Sequence, residues 1–158
     1  MRYSSGSCVA TRRSRSMLEV RRARPDELER CLAIRREVFV EEQGVPIDEE
    51  MDAHEAVCLH FLAFDGGDAV GTARLRETEA GRVKAERVAV RRSARRSGIG
   101  RALMRALEDA ARARGHREIV LNAQVPAIAF YERLGYRVEG PEFLEAGIPH
   151  RAMRKPLT

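Results

Sequence analysis

Apolar residues alternate with polar ones in short bursts along this chain, and between the bursts lie segments with helical spacing. Residues 17–23 (MLEVRRA) predict a first strand. Residues 25–42 predict a helix that places Leu28, Leu32 and Phe39 on one face, with Arg35 and Arg36 along it. Pro25 suits a helix start, and the acids beside it suit the positive end of the helix dipole. Residues 43–46 (QGVP) break the pattern. Residues 57–65 and 69–77 read as strands flanking Gly66-Gly67, a hairpin signal. A fourth strand is expected over 82–90. A helix follows over about 98–114, closed by Gly115, with Ile99, Leu103, Leu107 and Ala110 as its apolar stripe and Glu108–Arg112 as an i,i+4 pair. Residues 118–124 read as a strand, and 126–136 as a short helix capped by Gly135. Residues 136–140 and 148–156 read as late strands. This order predicts an α/β sandwich around a mixed sheet.

At 158 residues and 44% apolar composition, the chain suits one domain with a sizeable core. No apolar run nears the ~20 residues of a membrane span, which argues against a membrane partner. Residues 1–16 lack the apolar stretch of a signal peptide. Cys8, Cys31 and Cys58 lack metal-ligand spacing, and no metal is expected. They read as free thiols of a reducing, cytoplasmic setting, with Cys31 and Cys58 in the core.

The net charge of +5 is unevenly placed. Residues 1–16 hold four arginines and no acid, so the 29 basic residues less these four leave 25 against 24 acidic. Residues 1–16 are therefore expected to be a disordered basic extension, with Met17 as the start of a single domain over 17–158. A near-neutral domain with 5% aromatic residues offers few stacking platforms, which argues against a nucleic-acid partner.

Candidate chemistry concentrates in RRSARRSGIGRALMRAL (residues 91–107). Gly98 and Gly100 stand where the fourth strand hands over to a helix. A helix start carries unpaired N–H groups, and glycine lets a ligand approach them, so the combination suits phosphate. Arg91, Arg92, Arg95 and Arg96 add charge a polyphosphate would balance. The bland alternative is a solvated basic loop. A Walker loop is excluded because Arg101 and Ala102 follow Gly100, and a dinucleotide fingerprint because Leu103 stands where its third glycine belongs.

RVAVRRSARRSGIGRALM resembles the acetyl-CoA signature of the GNAT N-acetyltransferases, with Arg95, Gly98 and Gly100 on its fixed positions. AIAFYERLGYRVEG (127–140) resembles the family's second signature. REVFVEEQGVP, LNAQVPAIAFYERLGY and EFLEAGIPHRAM are similar to its ElaA-like or YjcF-like branch. The resemblance implies a mixed, mostly antiparallel sheet of about six to seven strands with helices on both faces. It implies acetyl-CoA as co-substrate and an amine acceptor. Pyrophosphate would lie on Arg95, Arg96, Ser97, Gly98, Ile99, Gly100 and Arg101. The pantetheine would run along Val88, Ala89 and Val90, with Gln124, where many members have Asn, facing it. Tyr131 would be the general acid for the departing thiolate, or else core packing. Glu86 would share a sheet face with Val88 and act as base, or else be a partner of Arg87 or Lys84. The function expected is acetyl transfer to a primary amine by direct attack on the thioester; the alternative is a non-catalytic acyl-CoA-binding module. The oligomeric state is open between monomer and homodimer.

Other residues stay ambiguous. His150 reads as structural or as a substrate contact. His60 reads as core or hydrogen-bonded, and His54 and His116 as exposed. Residues 41–55 hold seven acids and no Lys or Arg. They are a solvated face, or a negative rim drawing a cationic amine.

Overall fold

The computed structural model describes residues 18–52, 54–79 and 82–158, so the expected basic extension and Met17 lie outside the described residues. Seven strands form one sheet: β1 (Leu18–Arg22), β2 (Leu59–Asp65), β3 (Asp68–Glu79), β4 (Arg82–Val90), β5 (Glu118–Gln124), β6 (Arg137–Glu145) and β7 (Ile148–Pro156). Their order is β1-β2-β3-β4-β5-β7-β6. Every pairing is antiparallel except β4 with β5. The helices are α1 (Leu28–Arg35), α2 (Ile47–Glu50), α3 (Ile99–Ala113) and α4 (Ile128–Arg133). This is the expected sheet, and the last hairpin is longer than its sequence suggests, because β6 runs on through a register shift to Glu145.

Alternation in β2 shows how the layers form. Phe61 and Ala63 face one core with Ile99, Leu103, Leu107 and Ala111 of α3. Leu62 and Phe64 face the other with Cys31 and Ile34 of α1. Odd and even residues of a strand point to opposite faces, so each β2 residue chooses its layer by parity alone. Cys31 and Cys58 are buried free thiols, as expected. Among the described residues no helix is long and apolar enough to cross a membrane.

Three local expectations are corrected. The helix predicted over 25–42 is compound: a 3₁₀ turn (Pro25–Glu27), α1, and a wider π-helical stretch over Arg36–Glu42. Glu108 does not pair with Arg112 but turns inward, accepting from the Tyr136 hydroxyl at 2.7 Å and from Lys155 Nζ at 3.0 Å. The His116 side chain is only 8% exposed, with Nε2 3.4 Å from Glu77.

Two features of β3 and β4 shape the region that matters for function. Gly71 pairs with Val90, and a Cβ there would lie 3.0 Å from Ile99 Cγ2 and 3.1 Å from Leu103 Cδ1. The missing side chain lets the first turn of α3 settle against the end of β4. The β3–β4 register slips between Thr72↔Ala89 and Arg74↔Glu86, a bulge that holds Arg87 at φ 54°. A bulge bends its strand and strengthens its twist.

Gly71→Val should therefore overpack the α3 contact and destabilise the protein by about 1–3 kcal/mol, read by denaturant unfolding. A change below ~0.5 kcal/mol would show that α3 is free to shift.

Candidate active site

The parallel pair β4–β5 opens into a cleft. Its ladder covers only Arg82–Ala85 against Glu118–Leu121. Beyond the bulge, residues 86–90 have no β5 partner, while β5 continues on β7 through Gln124. A strand edge opened this way presents unpaired backbone donors and acceptors that an extended amide chain can satisfy. The resulting cleft, about 650 Å³, is lined by Glu86, Val88, Ala89 and Val90 on one arm and by Asn122, Gln124, Tyr131 and His150 on the other. Gln124 Nε2 donates to Gln43 Oε1 at 2.9 Å, so a loop beyond α1 meets β5 across the opening.

The α3 amino terminus lies just after this arm. Gly98 is its N-cap, with φ 83° and no capping side chain, which leaves the first-turn N–H groups free for an anion. A Cβ at Gly98 would meet nothing within 4 Å, whereas one at Gly100 would meet Phe130 Cζ at 3.2 Å. The two glycines therefore differ in purpose: Gly98 supplies a left-handed backbone and open approach, and Gly100 lets α3 and α4 pack closely. The Ile99 side chain is core, so only its backbone faces a ligand.

The basic loop is less free than its composition suggests. Arg95 donates to Val90 O and to Glu42 Oε1, both at 2.9 Å. Arg92 lies 3.4 Å from Glu42, and Arg91 3.7 Å from Glu37. The Ser97 hydroxyl donates to Ala94 O. These pairs are largely exposed, and such pairs are worth ~0–1 kcal/mol, so a phosphate could replace them. Arg96, held at φ 67°, and Arg101 make no ion pair among the described residues.

The cleft floor is a buried ion network. Arg35 Nε donates to Glu50 Oε1 at 2.5 Å, and its Nη2 to Glu55 Oε2 at 2.6 Å. Arg74 bonds Asp52 at 2.8 Å and Glu86 at 2.6 Å. Arg76 spans both Glu86 oxygens at 3.0 Å, Lys84 lies 3.4 Å from Glu86, and Arg87 lies 3.3 Å from Asp52. Arg35 and Arg74 are each 1% exposed.

Burial alone would raise the Glu86 carboxyl, but hydrogen bonds from Arg76 and Arg74 outweigh it and hold it down at about 2. The residue expected as base thus sits in the cleft with both oxygens engaged and little basicity left. Asp52 is held well below the usual carboxylate range against the same burial penalty, chiefly by Arg74. Glu55 is held at about 2, chiefly by Arg35. The acidic rim read from residues 41–55 is therefore corrected. Glu50 is 2% exposed and, with Asp52 and Glu55, neutralised by arginine, which leaves Glu49 as the exposed acid of α2 at the cleft.

Tyr131 lines the cleft, its ring edge-on to Phe130 and Tyr136 at 5.0 and 5.8 Å. Burial pushes its phenol up to about 12, so it keeps its proton at neutral pH. His150 was read as structural or as a substrate contact, and the fold brings it into the same cleft. His60 bonds the Glu55 carbonyl at 2.8 Å, and His54 is exposed. Among the described residues no group of His, Cys, Asp or Glu is arranged to hold a metal ion.

A mixed sheet split at its parallel pair, with an uncapped helix amino terminus at the mouth of the split, defines the acyl-CoA-dependent acetyltransferase class of fold. The acetyltransferase (GNAT) domain family matches residues 24–157. The uncharacterized N-acetyltransferase YjcF of Bacillus subtilis is 44% identical over 131 residues, 82% of this chain and 93% of that protein. A putative N-acetyltransferase structure from Lactobacillus plantarum superposes with TM-score 0.83 at 30% identity, covering 89% and 99% of the two chains. Escherichia coli ElaA superposes with TM-score 0.77 at 26% identity, covering 88% and 99%. The chain belongs to the GNAT acetyltransferase family, in its ElaA/YjcF-like branch.

The network carries a testable pH signature. Glu55 and Glu86 titrate near 2 when folded and near ~4.3 when unfolded, so the unfolded chain takes up protons first as pH falls. The stability they contribute should be fully present above about pH 5 and drain away as pH approaches 2. Arg74→Met, which takes one partner each from Asp52, Glu86 and Glu55, the last 3.1 Å from Arg74, should cost about 3–5 kcal/mol at pH 7 and flatten that acid limb. Urea unfolding from pH 7 to pH 3 measures both.

Proposed function

We propose that the protein transfers an acetyl group from acetyl-CoA to a primary amine by direct attack of the amine on the thioester carbonyl. The observation that carries this reading is the split of β4 from β5. It exposes strand backbone for the pantetheine amides within one element of an uncapped helix start for the pyrophosphate. Family membership supports the same assignment, since the GNAT family uses acetyl-CoA.

The chain's own groups then have distinct duties. Backbone N–H groups of residues 88–90 hold the pantetheine and polarise the thioester oxygen. N–H groups of Ile99, Gly100 and Arg101 receive phosphate, with Arg95, Arg96 and Ser97 at the rim. Gln124 faces the pantetheine once it exchanges its bond to Gln43. Tyr131 donates its phenolic proton to the departing thiolate. Glu86 draws Arg74, Arg76 and Lys84 together under the acceptor site, and in this role it shapes the cleft rather than taking the acceptor's proton. Glu49 and Glu145 are the exposed cleft acids that would favour a cationic amine.

A panel of primary amines and peptides with acetyl-CoA, followed by free thiol, tests the activity; binding without thiol release from any acceptor would favour a non-catalytic acyl-CoA module. Tyr131→Phe should lower kcat by about 10²-fold while acetyl-CoA affinity holds, because the ring remains. An unchanged kcat would leave proximity and the backbone contacts as the sources of rate.

Gly98→Asp tests the phosphate site separately. The position has room for a side chain, and Asp tolerates its left-handed backbone better than most residues. The added carboxylate should weaken acetyl-CoA binding at least ~10-fold, with a stability cost near ~1 kcal/mol. Unchanged affinity by calorimetry would move the pyrophosphate elsewhere.

A further inference from the structure

We infer that His150 is the group that takes the proton from the acceptor ammonium; the inference rests on the acetyl-transfer reading above.

The geometry starts with the ring's hydrogen bond. His150 Nδ1 lies 2.6 Å from the Ile148 carbonyl oxygen. A carbonyl only accepts, so Nδ1 carries the hydrogen, and the neutral ring has its lone pair on Nε2. Phe143 stacks on the ring at 6.0 Å and 26°, and fixes its plane. The buried unpartnered side-chain atoms among the described residues are Glu50 Oε2, His60 Nδ1, Arg91 Nε and His116 Nδ1. His150 Nε2 is not one of them and makes no hydrogen bond, although its side chain is 8% exposed and lines the cleft. A bare, basic nitrogen therefore opens onto the reaction space.

Its surroundings suit a proton acceptor. Glu145 Oε2 on β6 lies 3.8 Å from Nε2, and Asn122 Nδ2 on β5 donates to Glu145 Oε1 at 3.0 Å. Once Nε2 is protonated, that carboxylate lies close enough to stabilise the imidazolium. From β5 the ring's register partner is Gln124, which does not titrate. Tyr131 of α4 shares the cleft and stays protonated. Across the cleft, Lys84, Arg76, Arg87, Asp52 and Glu86 are tied to one another in the floor network. Glu86, the other candidate base, is held near 2 by that network and has no such lone pair to offer.

The proton balance closes. Nε2 takes one proton from the ammonium and leaves a neutral amine. The amine nitrogen bonds to the acyl carbon as the carbon–sulfur bond breaks, and the sulfur keeps the electron pair. Tyr131 gives its proton to that sulfur and regains one from the new amide nitrogen, whose second hydrogen stays. The imidazolium then releases its proton to water. No oxidant or further reactant is needed.

His150→Asn provides the test, because Asn keeps a donor near Nδ1 for the Ile148 carbonyl and has no basic nitrogen. Two probes are compared with acetyl-CoA: benzylamine, which is protonated at neutral pH, and O-methylhydroxylamine, which is already neutral. The variant should lose on the order of 10²-fold in kcat/KM with benzylamine, lose the acidic limb of that pH profile, and keep most of its rate with O-methylhydroxylamine. Acetyl-CoA affinity should not change. An equal loss with both probes would overturn the assignment, since it would mean a structural role. An unmodified protein that acetylates neither probe would count against the transferase reading. Nitrogen-15 histidine spectra of the unmodified protein then still judge His150. The Nδ1–H form with a bare Nε2 at neutral pH supports it, and an Nε2–H form overturns it.

Discussion

The buried contact between Arg74 and Glu86 is the constraint on which the site depends. Two charges cannot stay desolvated unless each is matched, so Arg74 collects Asp52 and Glu86, and Arg35 collects Glu50 and Glu55. These pairs tie the segment around α2 to β3 and β4 directly behind the bulge. Apolar packing would also fill that space, but it would not specify which side of the cleft each strand residue faces. Directional guanidinium bonds do, because a planar fork meets a carboxylate in few orientations.

The same constraint explains how one sheet contains an opening. A parallel ladder costs little to continue, so its end after Ala85 needs a cause. The slip that holds Arg87 at φ 54° turns the strand, and Arg87 is kept there by its bonds to the Glu50 carbonyl and Asp52. Gly71 holds α3 against the end of the turned strand, so the helix start and the strand edge stay in fixed relation. In the function proposed above, that fixed relation is what lets one extended acyl-CoA use both.

Proton handling is divided by the same electrostatics. Cations hold Glu86 ionised and weakly basic, while burial without any cation keeps Tyr131 protonated. The two residues first suspected of acid and base work are therefore pushed apart in opposite directions. On the acetyl-transfer reading proposed above, these environments suit Tyr131 to giving a proton and not Glu86 to taking one, which is the role proposed for His150.

Much of this was legible in the residues themselves. Alternation in LHFLAFD and the stripe Ile99–Leu103–Leu107 determine strand, helix and layer, because burial follows a period of two or 3.6 whatever the partner. The glycine loop after a strand marks where a helix begins without a capping side chain, because backbone chemistry there is local. Charge pairing was not legible. Arg35 read only as an arginine along the helix face that carries Leu28, Leu32 and Phe39, Glu108 as an i,i+4 partner of Arg112, and Glu50 as part of a solvated acidic face or rim. Each is buried with partners 15 to 47 residues away. His150 was one late-strand histidine until the β5–β7 register set it opposite Gln124. Local sequence determined which elements form and where an uncapped, glycine-bearing helix start falls. Only the tertiary structure decided which charges meet and which basic nitrogen is left free, because a side chain's proton affinity depends on neighbours that the chain brings together only by folding.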